Sequence, residues 1–159
     1  MTLRTTTWPA LLAAAAGCFA LAPLQAGERH ARATPLLPAY RTECGSCHTP
    51  YPPGLLPAAS WQRVMGDLAR HYGADASLDA PAAGQLSAWL AANAADPRRA
   101  GEAPPDDRIT RSRWFAREHD EVRAAAWTSA AVKSRANCGA CHPQANQGDF
   151  DEDRVRIPR

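Results

Sequence analysis

Two short cysteine–histidine motifs are the residues of this chain whose types and spacing indicate a particular chemistry. They are Cys44-Gly45-Ser46-Cys47-His48 and, close to the other end, Cys138-Gly139-Ala140-Cys141-His142. A C-x-x-C-H run is typical of c-type haem attachment, in which two thiols add to the porphyrin vinyl groups and the imidazole binds the iron. Because three residues make almost one helical turn, both sulfurs of a motif face one side. We therefore predict two covalently bound haem c groups, with the following attachment and ligand residues: Cys44, Cys47, His48, Cys138, Cys141 and His142.

Two other uses of paired cysteines fit the sequence less well. Two C-x-x-C pairs can bind zinc, but zinc ribbons space their pairs by tens of residues at most, and the gap here is far longer. A thioredoxin-like redox motif requires a βαβ setting, which the sequence pattern does not provide.

The first residues have the pattern of an export signal. Arg4 provides a positive charge, an apolar run extends from Trp8 to Leu24, and the residues up to Ala26 resemble a signal-peptidase site. We therefore expect residues 1–26 to be removed and the mature protein to lie in the periplasm. A retained membrane anchor is the less favoured alternative, because the run is short for a spanning helix and contains prolines. No later stretch is apolar enough to cross a membrane.

Charge and composition argue against a nucleic-acid partner. The whole chain has a formal net charge of +2, and loss of Arg4 with the signal lowers it by one. A protein without a strong basic field is a poor nucleic-acid binder.

Residues 98–107 are rich in Arg, Gly, Pro and Asp, as linkers often are. We therefore predict two small haem-binding units, at 27–97 and 98–159.

Apolar periodicity predicts a mainly helical fold. One helix is expected between Ser60, as N-cap, and Gly73, as C-terminal stop, with an apolar face that ends at His71. Asp79 is expected to cap a second helix that continues to about Asn93. Residues 27–43 are expected to be irregular, because their prolines limit any helix.

The first iron has two candidate ligands for the side opposite His48. Electron-transfer cytochromes usually close this position with Met or His. His71 ends the apolar helix face and is preferred. Met65 lies at a different angle on the same helix, so we expect it to fill a gap in the core. His30, near the new N-terminus, is expected to be solvated.

For the second iron, His119 is the preferred ligand. It follows Phe115 at helical spacing, in a segment whose aromatic residues suit a porphyrin, and this half of the chain contains no Met. Glu118 and Asp120 are candidate hydrogen-bond acceptors for its ring.

Several segments beyond the haem motifs resemble the small bacterial dihaem cytochromes c. They extend from about Tyr40 to Pro158 and include a proline-rich loop and a Glu-His-Asp-Glu run. In chain order the matching segments are Glu43–His48, Tyr51-Pro52-Pro53-Gly54-Leu55-Leu56-Pro57, His71-Tyr72-Gly73, Arg108-Ile109-Thr110, Trp114-Phe115, Glu118-His119-Asp120-Glu121 and Ala136–Pro143.

This resemblance implies an exported electron-transfer protein with two low-potential, bis-histidine haems. His48 and His71 would bind the first iron, and His142 and His119 the second. An exchange of His71 and His119 between the two irons remains open. The N-terminal unit would be similar to a class I cytochrome c. The implied partners are redox proteins: an oxygen-binding monohaem c-type cytochrome and a membrane b-type cytochrome.

Two other functions would require one iron to be open. A haem enzyme, such as a small peroxidase or a nitrogen-oxide reductase, needs a vacant position for its substrate, and a gas-binding or sensor protein needs one for its ligand. Either would require His71 or His119 not to bind iron. Because the sequence offers one further histidine for each haem, it favours an electron carrier that is not an enzyme.

Overall fold

The regular structure of this protein is helical, as predicted. The computed structural model describes residues 34–96, 98 and 101–158, and within them only isolated bridges occur in place of strands. The α-helices of this part are α1 (Pro38–Glu43), α2 (Ala58–Gly66), α3 (Ala80–Ala92), α4 (Arg113–Glu118) and α5 (Ala124–Thr128). Short 3₁₀ turns lie between or after them, at Pro53–Leu55, Leu68–Arg70, Pro105–Asp107, Ile109–Arg111, Cys138–Ala140, Ala145–Gln147 and Glu152–Arg154.

Two predictions fall on the first residues. The export signal with its cleavage near Ala26, and the solvated His30, lie outside the described residues. Where the structure is described, no helix is both long and apolar enough to span a membrane.

Helix α1 leads directly into the first cysteine motif, although irregular structure was predicted here. Pro38 occupies the first turn of α1, where the missing N–H has no intrahelical partner to lose. The helix buries Tyr40, and Cys44 caps its C-terminus by donating its backbone N–H to the Tyr40 carbonyl at 3.0 Å. The prolines therefore start a helix instead of preventing one.

Helices α2 and α3 are the long elements of the N-terminal half. Helix α2 begins at Ala58, so the prediction of Ser60 as N-cap was wrong, and Ser60 is fully buried inside the helix. It ends at Gly66 and is followed by a 3₁₀ turn, well before the predicted stop at Gly73. Helix α3 agrees with the prediction, since the Asp79 carboxylate accepts a 2.7 Å hydrogen bond from the Ala82 N–H.

These helices enclose a compact apolar core. Its buried members come from α1, the proline-rich loop, α2 and α3: Tyr40, Leu56, Trp61, Leu86 and Leu90. The buried Trp61 indole N–H donates to the Pro53 carbonyl at 2.7 Å, so its polar atom is satisfied. Met65 packs at the edge of this core, as expected of a gap-filling residue.

The C-terminal half has little core of its own. Among the described residues of this half, the buried apolar side chains are few: Pro104, Phe115, Val132 and Ala145. Its end is fixed to the second motif, because the Arg156 N–H donates to the Cys141 carbonyl at 2.8 Å. Ile109 packs against the N-terminal core, so the two halves are in contact. The boundary near residue 98 stays a prediction.

Candidate haem sites

The same backbone hydrogen bond occurs within each of the two motifs. In each, the histidine N–H donates to the carbonyl of the first cysteine, at 3.4 Å from His48 to Cys44 and at 2.8 Å from His142 to Cys138. This bond closes a helical turn over the five residues. Both motifs therefore have the local geometry that the spacing predicts.

In the first motif, the imidazole of His48 faces that of His71. Their ring centroids are 6.0 Å apart and their planes differ by 18°. His71 lies just beyond the 3₁₀ turn that follows α2, at the start of a tight turn closed by the Ala74 N–H on its carbonyl at 3.1 Å. The short extension of α2 thus brings His71 opposite the motif.

At the second motif, His142 faces His119 in a similar way. The ring centroids are 6.2 Å apart, but the planes differ by 68°. Helix α4, capped by Ser112 through a 3.0 Å hydrogen bond from the Phe115 N–H, ends at Glu118, and His119 follows as its C-cap. The structure therefore does not show the exchanged arrangement, in which His71 would face the second motif.

Hydrogen bonds leave one nitrogen free on two of these rings. His48 Nδ1 lies 2.7 Å from the Thr49 carbonyl, and His119 Nδ1 lies 2.9 Å from the Phe115 carbonyl. A carbonyl only accepts, so Nδ1 carries the proton in both cases and Nε2 keeps a free lone pair, which is the usual arrangement for a metal-binding histidine. The expectation that Glu118 or Asp120 would orient His119 was wrong, since the Phe115 carbonyl takes that role.

Partial burial favours the neutral form of the other two rings. Desolvation, and then the facing imidazole of His48, lowers the pKa of His71. Desolvation, and then the facing His119, lowers the pKa of His142 in the same way. The Nδ1 atom of His142 is also buried without a hydrogen-bond partner. Unlike Nδ1 of His48 and of His119, this nitrogen has no carbonyl in reach, so no hydrogen bond fixes the tautomer of His142.

The cysteines do not form a zinc site. All four motif cysteines are free, and among the described residues no group of three or more His, Cys, Asp or Glu side chains gathers around a point. Burial raises the thiol pKa of Cys44 and of Cys138 to about 11. A free thiol with so high a pKa is protonated at neutral pH and does not act as a thiolate nucleophile.

Aromatic rings surround each histidine pair. Tyr51 stacks on His48 with centroids 4.9 Å apart and an interplanar angle of 18°. At the second pair, Phe115 stacks on His119 at 4.1 Å, and Phe150 lies 5.2 Å from His142. Such apolar surroundings suit a large flat macrocycle held between the two imidazoles of each pair.

Comparison with known proteins places these features in a family. The family described as dihaem cytochrome c matches residues 40–150, which is most of the chain. The chain belongs to the dihaem cytochrome c family. It is therefore an electron-transfer cytochrome with two covalently bound haem c groups, and the cysteine motifs have the form that this attachment requires. No curated protein matches the chain significantly.

Solved structures of dihaem cytochromes c agree with this assignment. A diheme cytochrome type c from Shewanella baltica OS155 is 38% identical, with a TM-score of 0.67, over 76% of this chain and 92% of the other. Two structures of the Rhodobacter sphaeroides protein are 44% and 43% identical, with TM-scores of 0.62 and 0.64, over 72% of this chain and 96% of theirs. The alignment thus includes nearly the whole of each relative.

Sequence reasoning assigned no role to some residues of these sites. Tyr51 follows His48 by three residues in the proline-rich loop, where no periodic pattern predicts a contact between the rings. Its hydroxyl donates to the Ala136 carbonyl at 3.0 Å, two residues before Cys138, and so connects the two motifs. Tyr72, next to His71, also makes long-range contacts, and no local pattern predicts them.

Proposed function

We propose that this dihaem cytochrome c carries single electrons in the periplasm through two bis-histidine haems. His48 and His71 bind the first iron, and His142 and His119 bind the second. The thiols that attach the two porphyrins are Cys44 and Cys47 for the first, and Cys138 and Cys141 for the second. When bound, each haem takes up and releases one electron at its iron.

The separation of the facing imidazoles is the observation that carries this proposal. A metal–imidazole bond is about 2 Å long and the bonding nitrogen lies roughly 1 Å from the ring centre, so two rings on opposite sides of one metal have centroids roughly 6 Å apart. The observed separations are 6.0 Å and 6.2 Å. Each pair of rings therefore has the spacing that one shared iron requires.

The protein supplies the ligands and their orientation. The carbonyls of Thr49 and Phe115 hold His48 and His119 with Nε2 free, as described above. Burial favours the neutral forms of His71 and His142, and only a neutral imidazole binds a metal. Two histidines on each iron would leave no vacant position for a substrate or a gas.

The closed positions argue against the alternative functions. A peroxidase, a nitrogen-oxide reductase or a gas sensor needs an iron with one vacant position, and here a second histidine lies opposite each motif histidine. The family resemblance supports two redox partners for the carrier: an oxygen-binding monohaem c-type cytochrome and a membrane b-type cytochrome.

Carbon monoxide binding to the reduced protein tests this proposal. The unmutated protein should react slowly, because a histidine must leave the iron first. His71→Ala should open only the first haem and His119→Ala only the second, so that each variant gains a fast carbon monoxide complex on one haem. Met65→Leu is the control, and both its haems should keep low-spin spectra. Fast, stoichiometric binding at one haem of the unmutated protein would contradict the proposal.

A further inference from the structure

The turn that contains His71 has an unfavourable backbone. Residues 71–74 form a tight turn in which both central residues, Tyr72 and Gly73, have positive φ, of 51° and 100°. Turns of this kind prefer Asn or Gly at the first central position, because a Cβ atom crowds the backbone there. A tyrosine at this position therefore needs contacts elsewhere that hold it.

Those contacts come from the segment before α4. The Tyr72 hydroxyl lies 3.0 Å from the Asp106 carbonyl and 3.2 Å from the Asp107 carbonyl, and can donate to either. The guanidinium of Arg108 lies over the ring, 4.3 Å from its centroid. Tyr72 is 45% exposed, so burial alone does not fix it. Specific contacts across 34 and 35 residues of sequence fix it instead.

The two accepting residues are themselves in the same uncommon conformation. Asp106 and Asp107 have φ of 54° and 52°, which presents consecutive carbonyls to the tyrosine. Their carboxylates are both paired with arginines. Arg63, on α2, donates to Asp107 through two bonds of 2.8 and 2.6 Å, and Arg111 pairs with Asp106. Bidentate pairs of this kind fix orientation as well as distance.

We propose that these contacts form a latch that positions His71 on the first iron. The latch consists of Tyr72, Arg63 and Asp107, supported by Arg108, and it ties the turn to α2 and to residues 106–108. Three non-glycine residues with positive φ, namely Tyr72, Asp106 and Asp107, meet at this one place, beside a proposed ligand. Backbone strain of this kind persists where the surrounding structure holds it, and it is concentrated at functional sites. The latch residues act through His71 and are positioning residues. The inference rests on the proposed ligation by His71.

The latch should control how easily His71 leaves the iron. Tyr72→Phe removes the hydroxyl but keeps the ring under Arg108. Asp107→Asn weakens the pair with Arg63 but keeps the backbone carbonyl. Asp67→Asn is the matched control, because Asp67 lines the same groove but pairs with the exposed Arg70 and not with a latch residue.

The experiment measures carbon monoxide association with the reduced holoprotein, haem by haem. His71→Ala identifies the kinetic phase of the first haem. Each latch variant should accelerate that phase roughly three- to tenfold, as expected for loss of one hydrogen bond. The second haem should keep its rate and serves as an internal control. Amide hydrogen exchange at Ala74, whose N–H closes the turn, should accelerate in the same variants.

The outcomes separate the latch from the ligation. If carbon monoxide binds the first haem of both latch variants at the same rate as in the unmutated protein and in Asp67→Asn, the latch does not exist. Equal acceleration at both haems would show a general loss of stability and would also overturn it. Fast binding at the first haem of the unmutated protein would instead refute ligation by His71, and the latch with it.

Discussion

At the level of single residues, the pairing of the candidate side chains could largely be predicted from the sequence. The C-x-x-C-H spacing predicts the attachment thiols, and His48 and His142 as ligands, without any structure, because the motif is local. His71 and His119 were predicted as the further ligands from their helical spacing on apolar faces, with Met65 as the less favoured alternative, and the structure brings them opposite His48 and His142. The acceptor for His119 could not be predicted, because a backbone carbonyl carries no sequence signature.

One prediction for single residues concerns the thermal stability of the protein at low pH. The pKa values of His71 and His142 are lowered in the folded protein, so the unfolded chain takes up protons first as the pH falls below about 6.5. The contribution of these two groups to the free energy of unfolding is therefore fully present above that pH and declines below it. Protonation also competes with iron for the imidazole, so iron binding weakens at low pH as well. Thermal melting of the holoprotein should give a constant Tm above about pH 7 and a lower Tm at pH 5. A Tm that rises on acidification would contradict this.

At the level of elements, α3 was predicted well and α1 was missed. Asp79 followed by Pro81 is a strong local start signal, and the helix indeed begins there. Helix α1 starts at a proline, and its short length gives little periodicity to detect. Helix α2 is present as predicted, but both of its ends differ. It begins at Ala58, because Ser60 is buried in the core instead of capping the helix, and it ends at Gly66.

The two motif glycines give a matched pair of variants. A Cβ atom on Gly45 would lie 2.2 Å from the Arg41 carbonyl oxygen of α1, whereas one on Gly139 would meet nothing closer than Thr49 Oγ1 at 4.0 Å. Gly45→Ala must shift the backbone and should cost about 1–3 kcal/mol of unfolding free energy. Gly139→Ala should stay within about 0.5 kcal/mol. Urea denaturation of the two holoproteins measures both values. An equally small loss of unfolding free energy in both variants would show that the Gly45 contact relaxes without cost.

At the level of the whole molecule, the contacts between the halves were beyond sequence reasoning. Tyr51 joins the first histidine pair to the residues before the second motif, and the latch joins the His71 turn to residues 106–108. Residues 98–107 have the composition of a linker, yet Asp107 is held on α2 by Arg63. Pairings between residues so far apart depend on the assembled fold, which no local pattern encodes.

The angle between the facing imidazole planes distinguishes the two haem sites of the molecule. Both pairs of imidazoles have nearly the same separation, but their planes differ by 18° in the first and by 68° in the second. In ferric low-spin haems with two imidazole ligands, nearly parallel rings give a rhombic electron paramagnetic resonance spectrum. Nearly perpendicular rings give a single, strongly anisotropic signal at low field. The two haems of one molecule should therefore be distinguishable.

The electron paramagnetic resonance spectrum of the oxidised, unmutated protein tests the central claim most directly. We expect two low-spin signals of equal intensity, one rhombic from the His48–His71 site and one strongly anisotropic from the His119–His142 site. His71→Ala should remove only the rhombic signal. A high-spin signal that accounts for one haem in the unmutated protein would show an open iron and would contradict ligation of both haems by two histidines.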